Sequence, residues 1–116
     1  MVGGAFMIVR GTTQEQIFIL PFYLERISQL YVTYFQDGEK ILEKSLADGK
    51  FSTTENGFLV NLSQEDTLLF KPSKLTQPVK SSLVIIQLRV KLDDNRALAS
   101  DIIKERVYDV LKDGVI

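Results

Sequence analysis

The 116-residue chain contains no cysteine, no histidine and no tryptophan. Without cysteine there is no disulfide framework, so packing alone must hold the fold. With histidine missing as well, the two commonest transition-metal ligands are absent and a zinc site is all but excluded. No window approaches the roughly 18 apolar residues that a membrane helix requires. The opening "MVGGAFMIV" is too short and too poor in charge for a secretory signal peptide, so the expected location is the cytoplasm. Fourteen basic residues face fifteen acidic ones, a formal charge of −1. Neither a basic excess nor a basic stripe is visible along the chain, and the expectation is no nucleic-acid partner. Repeats, low-complexity tracts and linkers are also lacking. The length suits one β-sandwich domain spanning 1–116, with residues 1–6, including Gly3-Gly4, as a disordered extension and Met7 as a possible natural start.

What is present reads mostly as short strands. "TTQEQIFIL" (12–20) is strongly apolar and stops at Pro21, a residue confined to strand edges and ends. "QLYVTYFQ" (29–36) is rich in the β-branched and aromatic side chains that pleated surfaces favour. Asp37-Gly38 then separates it from "EKILEKSL" (39–46), which is the signal for a two-residue hairpin. Asn56-Gly57 between "KFSTTE" and "FLVNL" suggests a second one, with Phe58, Val60 and Leu62 pointing inward. "SSLVIIQLRVKL" (81–92) is the clearest strand. Val84, Ile86, Leu88, Val90 and Leu92 form an unbroken apolar face at period two. Its other face is expected to pass from buried Leu83 and Ile85 to solvated Gln87, Arg89 and Lys91. The stretch "KPSKLTQPVKSS" is expected to cross from one sheet to the other.

The C-terminal "ALASDIIKERVYDVLKDGVI" fits two templates. Leu98, Ile102, Arg106 and Val110 sit at helical spacing, whereas Ala99, Asp101, Ile103, Glu105 and Val107 fit a strand beside residues 82–92. The frequency of turn signals elsewhere favours an all-β chain. A strand to about Val107, followed by a short helical turn, is preferred.

"LSQEDTLLF" (62–70) places a hydroxyl and two adjacent carboxylates between apolar flanks. Ser63 followed three residues later by Asp66 has the spacing of a helix N-cap and its reciprocal partner. Glu65 adds negative charge where a helix dipole favours it. Neighbouring helical positions point about 100° apart, so Glu65 and Asp66 are poorly placed to share a substrate. The stretch reads as a corner between strands.

That stretch resembles the E–F corner of immunoglobulin-type sandwiches at Leu62, Glu65, Asp66 and Thr67, although the cysteine pair and core tryptophan of antibody domains are missing. More widely, "VRGTTQ", "LPF", "YVTYFQDGEKILEKSLAD", "LSQEDTLLF", "IQLRV" and "ALASDII…VYDVLKDGVI" resemble short Ig-like proteins of Gram-positive bacteria and their prophages. These are similar to the N-terminal domain of phage baseplate upper proteins. The resemblance implies an Ig-like β-sandwich of about seven antiparallel strands with one short helical corner. It also implies a structural role in a phage tail or baseplate, with incorporation into the virion, and it carries no catalytic residues.

Catalysis would need converging carboxylates, and no spacing brings Glu25, Glu43 or Asp101 together. Phosphate loops and nucleophile elbows are absent. No catalytic, cofactor-binding or metal residue is therefore expected, and the chain reads as a non-enzyme. Tyr31, Thr33 and Phe35 share one strand face, opposite Leu30, Val32 and Tyr34. They form either a surface covered by another subunit or a platform for carbohydrate. Ile19, in the apolar run before Pro21, is a candidate edge contact. Tyr31, Phe35 and Ile19 make up the expected interaction face, and protein subunits, including further copies of this chain, are the expected partners. Lys71, Lys74 and Lys80 read as a solvated loop.

Overall fold

A computed structural model describes residues 7–20, 24–51, 57–71, 82–110 and 114–116. Among the described residues, nine strands and one short α-helix follow one another. They are β1 (Met7–Val9), β2 (Gln14–Ile19), β3 (Ile27–Gln36), β4 (Glu39–Ser45), β5 (Gly49–Phe51), β6 (Gly57–Leu62), α1 (Gln64–Leu68), β7 (Ser82–Leu92), β8 (Ala97–Ala99) and β9 (Ile103–Tyr108). The count exceeds the expected seven because β1 is an additional three-residue strand and the C-terminal stretch forms two strands, β8 and β9, the first also only three residues long. Strands that short leave little pattern to read.

The large sheet runs β1-β9-β7-β3-β4, with β8 also pairing to β7, and the small sheet runs β2-β6-β5. β2, β3, β6 and β7 thus lie alternately in the small and the large sheet, as strands B, C, E and F do in an immunoglobulin domain. β4 extends the β9-β7-β3 sheet as C′ extends the G-F-C sheet of variable-type domains. The chain is an Ig-like β-sandwich. One pairing departs from the all-antiparallel expectation, since β1 lies parallel to β9.

Alternation along β7 explains the packing. Val84, Ile86, Leu88, Val90 and Leu92 are all buried. Through the antiparallel ladder with β3, Ile86 sits beside Tyr34, Leu88 beside Val32 and Val90 beside Leu30. The small sheet answers with Phe18, Phe58, Val60 and Leu62, which are likewise buried. The opposite face of β7 corrects the sequence reading: Leu83 and Ile85 are exposed, not buried. Only one face of the large sheet is covered by the small sheet.

Turn chemistry follows backbone demands. Asp37 and Gly38 both have positive φ, 54° and 79°, as a type I′ hairpin requires. The second hairpin differs from expectation. Phe51, not Glu55, stands opposite Phe58, and Gly57 belongs to β6, where it pairs with Ile19. The connection therefore spans residues 52–57, of which 52–56 lie outside the described residues. Gly49 serves a close approach: a Cβ there would meet the Phe58 ring at 2.4 Å and the Leu59 carbonyl oxygen at 2.5 Å.

The ambiguous C-terminal stretch is strand. β9 pairs with the start of β7, from Ser82↔Val107 to Ile86↔Ile103, and β8 pairs with its end. The expected helical turn after Val107 falls partly on residues 111–113, outside the described residues. So do Gly3-Gly4, Pro21, Lys74, Lys80 and nearly all of the proline-containing crossover. Lys71 is described, and its ammonium group lies 3.4 Å from Glu39.

The 62–70 stretch is the corner it was expected to be. The Asp66 N–H donates to Ser63 Oγ at 3.1 Å, and the Ser63 N–H donates to Asp66 Oδ2 at 3.0 Å. Asp66 also meets the Lys44 ammonium at 2.9 Å. Burial alone would raise its carboxyl pKa, but Lys44 and the Ser63 N–H together hold it below the ordinary 3.8. Thr67 closes the turn by donating to the Thr12 carbonyl at 2.8 Å.

Two thermodynamic outcomes follow. Ile86→Ala and Leu88→Ala should each lower unfolding free energy by roughly 2–5 kcal/mol, and Arg89→Ala should be nearly neutral. Ser63→Ala should cost about 1 kcal/mol through loss of the cap. Urea denaturation midpoints of the purified variants check both.

Candidate interaction face and a buried carboxylate

The exposed face of the large sheet is built by the alternate residues that do not enter the core. On β3 these include Tyr31 and Phe35, which are 41% and 37% exposed; on β7 they include Leu83 and Ile85, at 52% and 38%. Phe35 and Ile85 are cross-strand neighbours. Lys104 on β9 stands beside Ile85, Arg106 beside Leu83, and Lys40 on β4 beside Phe35. The apolar centre is therefore flanked by cations on both sides. Toward the other end of the face, Arg89 is the neighbour of Tyr31, and Lys91 that of Gln29.

The charge on this face is one-sided. Lys40, Arg89, Lys91, Lys104 and Arg106 make no ion pair or side-chain hydrogen bond to another described residue. Glu43, a carboxylate on the same face, accepts a 3.0 Å hydrogen bond from the Thr33 hydroxyl. Elsewhere Arg10 is paired with Asp109, Arg26 with Asp93 and Asp94, and Lys44 with Asp66. Sequence reading missed this basic face. Arg89 and Lys91, like Lys104 and Arg106, are two residues apart, so they form a stripe only when both segments are adjacent strands.

Tyr31 and Phe35 thus share one surface, as expected. Ile19 does not join them. It lies half-buried on β2, in the other sheet, where β2 is an edge strand. Asp66 is held in its cap, and Glu43 accepts the Thr33 hydrogen bond. Among the described residues no group of three His, Cys, Asp or Glu side chains is arranged to hold a metal ion.

A second feature escaped the sequence reading. Glu105 points inward from β9 and is only 2% exposed. Gln16, reaching across from β2, donates from Nε2 to Glu105 Oε2 at 2.9 Å. The Tyr34 hydroxyl donates in turn to Gln16 Oε1 at 2.5 Å. This chain of polar groups links the two sheets through the core, and Glu105 Oε1 is left without a protein partner. Burial pushes the Glu105 carboxyl up from 4.5 to about 7, against the opposing effect of the Gln16 hydrogen bond. The Tyr34 hydroxyl is raised too, mainly by burial and then by the charges of Glu105 and Asp66. The signal was present in "IIKERVY", where Glu105 shares its alternation with Ile103 and Val107.

No protein-family model matches the chain, and no curated protein matches it. Among solved structures, the V domain of amphioxus IgVJ-C2 is similar at 10% identity and a TM-score of 0.33, over 86% of this chain and 96% of that one. The Ig-like assignment stands on the strand order and connectivity described above.

The buried carboxylate predicts a pH profile. Folded Glu105 keeps its proton to higher pH than the unfolded chain does, so its contribution is fully present below pH 4.5 and is lost as pH rises through about 7. The loss is at most about 3 kcal/mol. Asp66 acts in the opposite sense: its contribution is present above pH 3.8 and fades as pH falls further. Stability should peak between about pH 4 and 5 and decline toward pH 8. Glu105→Gln should flatten that decline, as followed by thermal unfolding across buffers.

Proposed function

We propose that the chain is a non-enzymatic assembly module that works by protein–protein contact through the exposed face of the large sheet. The observation that carries this reading is the apolar centre of Phe35, Leu83 and Ile85, left exposed and flanked by Lys40, Lys104 and Arg106, which form no ion pair with another described residue. An apolar centre with a charged rim is the usual anatomy of a protein interface. The resemblance to small prophage proteins supplies the setting, a phage tail or baseplate. Virion proteins of this kind act by position and contact, which suits a face with no arranged catalytic groups.

The charges bear on who the partner is. Two copies meeting face to face through this surface would oppose several cations with few carboxylates, and like charges brought together cost several kcal/mol. A subunit with an acidic rim fits the face better. Self-association belongs instead to the outer edge of β2, which pairs with no other described strand and where Ile17 and Ile19 are half-buried.

Mass spectrometry of particles released by prophage induction of the host tests the assembly role. The chain should be found in the particles, and Phe35→Glu with Ile85→Lys should fold normally yet drop out of them. Absence of the wild-type chain from the particles overturns the reading. Light scattering tests the edge separately: association at high micromolar concentration should weaken in Ile19→Lys, and a strictly monomeric wild type rules self-association out.

A further inference from the structure

At the other end of the same face, a shallow depression of about 150 Å³ is lined by Gln29, Tyr31, Arg89, Val90, Lys91 and Ala97. Its shape follows from the strand register. Ala97 and Ala99 on β8 stand beside Lys91 and Arg89 on β7, so the neighbouring strand offers only methyl groups and leaves the long side chains uncovered on that flank. The side chains of Gln29, Arg89 and Lys91 are bonded to no other described residue. The Cα atoms of Arg89 and Lys91 stand about 7 Å apart on one strand face, and the residues lining the depression include no carboxylate.

We infer that this depression binds an acidic sugar, a pyranose ring bearing a carboxylate. The Tyr31 ring offers a flat apolar surface to the C–H face of the pyranose, as aromatic side chains do for planar or ring-shaped ligands. The Arg89 guanidinium has the fork geometry to hold a carboxylate by two parallel hydrogen bonds. Lys91 supplies a second cation, and the Gln29 amide both donates and accepts, as sugar hydroxyls require. The depression is small and open, with room for one ring-sized group. A nucleic-acid strand fits less well. Among the described residues of β3 the next exposed aromatic ring, Phe35, lies four residues along the strand, about 13 Å away, too far to stack the adjacent base.

The site is displaced from the Phe35 end of the face, so its test and that of the assembly role fail independently. Purified chain is titrated by calorimetry with trigalacturonate, sialyllactose, neutral galactotriose and a short oligothymidylate. At least one of the two acidic sugars should bind, more weakly as salt is raised, and more tightly than the neutral sugar or the oligonucleotide. Arg89→Ala and Tyr31→Ala should each weaken that binding by roughly tenfold or more, while Lys50→Ala, on the small sheet, leaves it unchanged. Because these side chains are outside the core, unchanged thermal midpoints establish that the variants are folded. Three results overturn the site: no binding of either acidic sugar, binding indifferent to Tyr31→Ala, or oligothymidylate binding at least as tightly.

Discussion

Strand β7 can present only every second side chain to the core, and the rest of the molecule is arranged around that constraint. Its inner residues, Val84 to Leu92, meet the small sheet and are sealed. Its outer residues, Leu83 to Lys91, cannot be sealed by the same partner. β3 obeys the same rule in antiparallel register, so Tyr34 beside Ile86 is core and Phe35 beside Ile85 is surface. A single-residue slip would exchange the two sets and bring Arg89 and Lys91 into the core, which fixes the register strongly. The exposed face is thus a consequence of the core and needs no separate device to hold it in place.

The polar chain through Tyr34, Gln16 and Glu105 is the one place where the core departs from apolar packing. Buried carboxylates are costly unless protonated or fully bonded, and Glu105 is bonded at one oxygen only. Its raised pKa is the physical expression of that shortfall. What the arrangement gives in return is direction: hydrogen bonds between β2 and both β3 and β9 hold the two sheets at one relative position, which apolar contact alone specifies weakly. The Ser63–Asp66–Lys44 cluster performs a similar task at the corner, tying β4 to the turn that leads from the small sheet toward the large one.

Much of the fold was legible because its signals are local. Asp37-Gly38 announces positive φ at two successive positions, and Ser63 with Asp66 announces a cap. The inner face of β7 announces itself by alternation over eleven residues. What was not legible depends on pairing between distant segments. Leu83 and Ile85 looked buried because apolar residues usually are, and nothing local says that the small sheet covers one face only. Lys104 and Arg106 become neighbours of Leu83 and Ile85 only once β9 pairs with β7. The Asn56-Gly57 signal misled because the register of β5 against β6 is set by Phe51 meeting Phe58, with ring centroids 5.1 Å apart, and not by the dipeptide. Glu105 was on the correct side of its strand in the sequence pattern, but alternation cannot reveal that the site beyond it is closed.

If the outer face of the large sheet is where this protein meets its surroundings, its protection from solvent must change on assembly while that of the core does not. Hydroxyl-radical footprinting of the chain, free and within its particle, measures this residue by residue. Phe35 and Leu83 should react in the free chain and be protected in the particle, with Tyr34 and Phe70 unreactive in both. Reactivity at Phe35 and Leu83 that persists unchanged in the particle, with protection appearing at Ile17 and Ile19 instead, would place the working surface on the small sheet and contradict the account.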